Sequence, residues 1–238
     1  MERPRLEFEC VIFDLDGTLT QPDAIDFARM RRRIGMPGDG SILHWIDAHA
    51  ASEAEAQEMR AVVWEEEALA LEQMALGDGF SALARLLSSV GGALPTAICT
   101  RNSFEAVEAF DALLQSTGYG PCSELFPVAI ARDHHSERLG RALLNKPSPE
   151  PAHEILWAWG LLDRYPAHAG HEAAAPRYPN LLFVGDGYDD LLSGRRAGTS
   201  AAWISHGQGE VPPAATHSFK DLAECAAAIA GSTTRPRS

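Results

Sequence analysis

No run of the 238-residue chain approaches the ~18 to 20 consecutive apolar residues that a bilayer-spanning helix needs, although 45% of its residues are hydrophobic. That excludes a helical membrane span and leaves enough apolar material for a sizeable core. Cysteine is sparse. Cys10, Cys99, Cys122 and Cys225 show no CxxC spacing, and two of them fall in apolar runs. Reduced thiols are therefore expected, not disulfides or a zinc site. Positive charge is also short, with 20 Lys and Arg against 33 Asp and Glu, a formal net charge of −13. Binding along a nucleic-acid backbone needs clustered cations, so that class is disfavoured. The one basic cluster, Arg29 with Arg31, Arg32 and Arg33, fits an exposed helix face. Neither GxGxxG nor GxxxxGK[ST] occurs, no fixed-period repeat is visible, and Asp14 does not open an EF-hand loop. The charged opening MERPRLEFEC leaves little room for a leader, so a cytoplasmic location is expected.

Short apolar runs recur: CVIFD (10–14), PTAIC (95–99), FPVAIA (126–131), NLLFVG (180–185) and AAWIS (201–205). Helical patterns separate most of them. Strands alternating with helices predict an α/β fold, a Rossmann-like parallel sheet covered on both faces. The interval after the first strand is too long for one crossover. Residues 21–78 read as a small all-helical insertion, with its clearest helix starting at the Ser52/Glu55 capping pattern. The core is then expected to comprise 1–20 and 79–231. Residues 163–179 read as a surface loop and 232–238 as a disordered tail.

Ligands of open parallel sheets bind at the carboxyl ends of the strands. Polar clusters stand just there. Asp14, Asp16, Gly17 and Thr18 follow the first run; Thr100, Arg101 and Asn102 follow the second; Asp186, Asp189 and Asp190 follow the fourth, and Lys146 precedes a later helix. Asp14 and Asp186 supply oxygen ligands suited to Mg²⁺. Lys146 offsets the crowded negative charge and can hold a phosphate oxygen. Thr100 offers a hydroxyl, Gly17 a close backbone approach, and a helix capped by Asn102 or Ser103 its N-terminal amides. An aspartate can attack phosphorus, and a carboxyl two residues on can serve the leaving oxygen. Blander readings stay open for each piece. DGT is a common turn, and Asp186 with Asp190 could simply open a helix.

DLDGT (14–18), ICTRN (98–102), NKPSPE (145–150) and GDGYDD (185–190) together resemble the four signatures of the haloacid dehalogenase superfamily, in order. The resemblance implies a phosphatase of the phosphoglycolate-phosphatase-like kind, with residues 21–78 as its cap. It implies Asp14 as nucleophile and Asp16 as general acid and base. Leu15, Gly17, Thr100, Arg101, Asn102 and Lys146 would handle the phosphate. Asp14, the Asp16 carbonyl, Asp186 and Asp190 would hold Mg²⁺. Dehalogenating members lack the second aspartate, so Asp16 favours phosphoryl transfer. The implied partner is a small phosphorylated metabolite, phosphoglycolate or a sugar phosphate, with monomer and homodimer both open. A phosphomutase of the same fold and a catalytically weak binding protein are the alternatives.

Overall fold

A computed structural model describes residues 6–22, 25–38, 40, 42–164 and 175–231. The tail 232–238 and most of the expected loop at 163–179, with His168 and His171, lie outside the described residues. The chain forms two compact units, Pro22–Met74 and the remainder, Met1–Gln21 with Ala75–Ser238.

In chain order the larger unit begins with β1 (Cys10–Phe13). The smaller unit carries α1 (Phe27–Ile34), α2 (Ile42–His49) and α3 (Glu53–Glu72). The larger unit resumes with α4 (Phe80–Val90), β2 (Thr96–Cys99), α5 (Phe104–Ser116), α6 (Cys122–Leu125) and β3 (Val128–Ile130). A short antiparallel hairpin of two-residue strands, β4 (His135–Ser136) and β5 (Arg141–Ala142), follows. Then come α7 (Glu150–Ala158), β6 (Tyr178–Gly185), α8 (Tyr188–Arg196), β7 (Thr199–Ile204), β8 (His217–Phe219) and α9 (Leu222–Ile229).

Six strands form one sheet in the order β3-β2-β1-β6-β7-β8, and every pairing is parallel. All four residues of β1 are buried, as are all four of β2. Both faces are covered, which is why these strands read as unbroken apolar runs. Ile12 packs on one face with Ala97, Cys99, Ile130 and Phe183 beneath Ala152 and Ile155 of α7. Phe13, its neighbour, points the other way and meets Phe126 edge-on, while Phe110 of α5 meets Phe80 of α4. The four cysteines are buried and free.

The chain leaves β1 and returns to α4 through a tight neck. Gln21 N–H donates to Ala75 at 2.9 Å and Gly77 N–H to Leu19 at 2.9 Å. The smaller unit has its own core, Met30, Ile34, Ile42, Ile46, Ala56 and Val63. Ser52 caps α3 by accepting Glu55 N–H at 3.2 Å, and Glu55 reaches back to Ala51 N–H at 2.6 Å. The basic cluster of α1 is not wholly solvated. Arg29 and Arg33 converge on the buried carboxylate of Glu66, at 3.0 and 2.9 Å.

Candidate active site

Strand β1 is the switch point of the sheet, with β2 on one side and β6 on the other. Loops leaving the carboxyl ends of these three strands diverge there and open a crevice. Asp14 follows β1, Thr100 follows β2 and Asp186 follows β6. Lys146 is carried in from the loop before α7. That loop is anchored to α8, where Ser193 Oγ donates to the Ser148 carbonyl at 2.7 Å and Arg196 to that of Pro147 at 3.2 Å.

The buried ammonium of Lys146 ties together the ends of β1 and β2 and the first turn of α8. Its Nζ donates to Asp14 Oδ1 at 2.5 Å and to the Cys99 carbonyl at 2.8 Å, and lies 2.6 Å from Asp190 Oδ1. Asp190 Oδ2 accepts Gly187 N–H at 2.9 Å, so both its oxygens hold a donor. By contrast, no donor among the described residues is paired with Asp14 Oδ2.

Asp16 faces the β2 loop. Its Oδ2 accepts from Thr100 Oγ1 at 3.2 Å, and Asn102 Nδ2 lies 3.2 and 3.3 Å from its two oxygens. Thr100 Oγ1 in turn accepts Asn102 N–H at 2.9 Å, and Asn102 Oδ1 accepts Ser103 N–H at 2.8 Å. Leu15 has its side chain wholly in the core, which leaves only its backbone for a ligand. Thr20 fixes the turn by donating both its N–H and its hydroxyl to the Leu15 carbonyl, each at 3.0 Å.

Gly17 is required by two independent facts. Its φ of +76° is left-handed, and a Cβ there would lie 2.3 Å from Asp186 Oδ2. Gly185 is constrained too, since a Cβ would meet that of Asp190 at 2.3 Å. With both side chains absent, oxygens of Asp14, Asp186 and Asp190 lie within 4.8 Å of one another. An octahedral Mg²⁺ with bonds of ~2.0 to 2.1 Å sets its oxygen ligands about 3 to 4 Å apart. An all-oxygen donor set, one cation wide and lacking obstructing Cβ atoms, fits that ion.

The electrostatics point the same way. Burial, then Asp190, then Asp186 and Asp16 push the Asp14 carboxyl well above the usual range, and Lys146 only partly opposes them. Burial and Asp190 raise Asp186 to about 6, against Lys146 and His206, which pull it down. Burial would discharge Lys146, but Asp14 and Asp190 outweigh it and hold the amine protonated. Four carboxylates against one buried ammonium leave an excess of negative charge that a divalent cation would relieve.

The ten residues to which the resemblance gives a role thus lie just past β1, β2 and β6 and before α7, with Asp190 in the first turn of α8. Two qualifications follow from the geometry. The Arg101 guanidinium is half exposed and pairs with Asp189 at 2.5 Å, which leaves its backbone amide as the group proposed to serve the phosphate. Two contacting residues carried no signal in the sequence, Trp203 in β7 and His206 just beyond it. Trp203 Nε1 donates to the Asp186 carbonyl at 3.0 Å, and His206 Nε2 lies 2.7 Å from the Gly17 carbonyl. A tryptophan in a strand reads as packing, and only the strand order brings β7 beside β6.

A family model described as haloacid dehalogenase-like hydrolase matches residues 8–198. An uncharacterized hydrolase of Saccharomyces cerevisiae is 30% identical over 192 residues, 80% of this chain and 74% of its own. A phosphoglycolate phosphatase of Mannheimia succiniciproducens is 29% identical, covering 92% of this chain and 96% of its own. Among solved structures, a hydrolase from Pseudomonas syringae superposes with a TM-score of 0.64 at 16% identity, covering 95% of this chain and all of that one.

Proposed function

The chain belongs to the haloacid dehalogenase-like hydrolase family, and from that premise we propose that it is a Mg²⁺-dependent phosphatase of a small phosphorylated metabolite. One observation carries the reading. Asp14 offers Oδ2 with no donor among the described residues upon it, while Lys146 fixes its other oxygen at 2.5 Å. A nucleophile needs that combination of a held carboxylate and a free lone pair.

In the proposed reaction Asp14 Oδ2 attacks phosphorus, the ester P–O bond breaks, and Asp16 gives its proton to the leaving alkoxide. Asp16 then takes a proton from the water that attacks the phosphoryl-aspartate, returning Asp14 as carboxylate and releasing inorganic phosphate. The hydrogen bonds of Thr100 and Asn102 to Asp16 support that role by fixing its orientation. Thr100, with the backbones of Leu15, Gly17, Arg101 and Asn102, would receive the transferring phosphoryl oxygens, beside Lys146. Asp14, the Asp16 carbonyl and Asp186 would hold Mg²⁺, which supplies positive charge against the phosphoryl oxygens, with Asp190 acting directly or through water. The helical unit Pro22–Met74, inserted after the first strand, is proposed as the cap that selects the substrate.

The relative from Mannheimia succiniciproducens makes 2-phosphoglycolate the first ester to try. The test is phosphate release from a panel of small monoesters with Mg²⁺, using Asp14→Asn as the blank. One or a few esters are expected to turn over, and chelation is expected to silence the wild type. A rate equal to the blank across the panel, or one indifferent to chelation, contradicts the proposal.

A further inference from the structure

The end of β7 and the turn that follows it each touch the acidic cluster, and neither belongs to any of the four motifs. Trp203 Nε1 donates to the backbone carbonyl of Asp186 at 3.0 Å. His206 Nε2 lies 2.7 Å from the carbonyl of Gly17, which can only accept, so this nitrogen carries the proton. The His206 backbone has a φ of +51°, a left-handed conformation uncommon in residues other than glycine. A compact turn holds it there. Ser205 N–H donates to Phe219 of β8 at 2.9 Å, Gly207 N–H to Ser205 Oγ at 3.2 Å and Gln208 N–H to the Ser205 carbonyl at 2.9 Å.

These contacts fall where the cluster tolerates least displacement. Gly17 sits so close to Asp186 that a methyl group would not fit between them. Sliding the Gly17 peptide would shift the Asp16 carbonyl on one side of it and release the Asp186 carboxylate on the other. We infer that His206 is a positioning residue: by holding the Gly17 carbonyl it keeps the β1 loop seated against Asp186, with Trp203 fixing Asp186 from the opposite end. This rests on the metal-dependent reading above. Partners behind metal ligands commonly set affinity by ~10- to 100-fold.

The test compares His206→Asn with His206→Gln. Both carry an amide and differ in reach, since only glutamine extends as far as Nε2, and asparagine accepts the left-handed backbone. Mn²⁺ binding is read without substrate from the free-ion paramagnetic resonance signal, with circular dichroism as the check on folding. His206→Asn is expected to bind Mn²⁺ about tenfold more weakly, and His206→Gln to bind within about threefold of wild type. At saturating metal the KM for the ester is expected to stay within about twofold, with the loss confined to the metal concentration giving half activity. Should His206→Asn not fold, His206→Gly takes its place in the same comparison. Mn²⁺ affinity within threefold of wild type in the folded short variant overturns the inference alone. A wild type that binds no Mn²⁺ refutes the metal reading first and this inference with it.

Discussion

At the scale of single residues, the site is organised around carboxylates that folding forces together. Burial and Asp190 push the Asp186 carboxyl up to about 6, above the ordinary carboxylate range. Between that range and about 6 the folded, metal-free protein binds the extra proton, so this group's contribution to stability falls as pH rises from about 4 to about 6. At neutral pH the penalty is fully present. Asp186→Asn is accordingly expected to raise the melting temperature of the metal-free protein at neutral pH while abolishing turnover. A calorimetric scan beside a phosphate-release assay checks both. The proposed Mg²⁺ would remove the same penalty, so the rise in Tm on adding Mg²⁺ is expected to be larger near pH 7.5 than near pH 5. Lys146→Met reverses the sign of the argument, because it leaves Asp14 and Asp190 buried without their cation. A loss of about 3–5 kcal/mol is expected from the denaturant midpoint.

At the scale of elements, the outcome of Gly17→Ala depends on how tightly the β1 loop is seated. The added Cβ would overlap Asp186 Oδ2 in a left-handed backbone. Turnover is expected to fall by at least ~100-fold, with the fold retained by circular dichroism. Much of this layout was legible in the sequence, because strands buried on both faces leave unbroken apolar runs. All five such runs are strands of the sheet, and their polar ends mark the crevice. The sixth strand was not legible. His217–Phe219 is three residues long, and the first two of them keep some solvent exposure, so it leaves no run to detect. The hairpin of β4 and β5 is shorter still, and its residues are chosen by ion pairs such as Arg141 with Glu150 at 2.6 Å, not by periodicity. Tyr178 and Pro179, expected in a loop, extend β6 because Tyr178 N–H donates to the Gly198 carbonyl at 2.7 Å. In α1 the arginines read as a solvated face, since a buried Glu66 from α3 cannot be inferred from spacing within either helix. Glu66→Ala is expected to destabilise the smaller unit by about 1–3 kcal/mol, measured by hydrogen exchange in α1 and α3.

At the scale of the whole molecule, a net charge of −13 stands against the anionic substrate proposed above. The larger unit would answer this locally, with the buried ammonium of Lys146 and a carboxylate cluster that could hold a divalent cation. No helix among the described residues is long and apolar enough to cross a membrane. The proposed reaction passes a phosphoryl group through Asp14. The most direct measurement treats the protein with p-nitrophenyl phosphate and Mg²⁺, quenches with borohydride and sequences the peptides by mass spectrometry. A phosphoryl-aspartate is reduced to homoserine, which is predicted at position 14 and in no sample prepared without the ester. Unmodified Asp14 with reduction at another carboxylate, in protein that is turning over, would contradict the account.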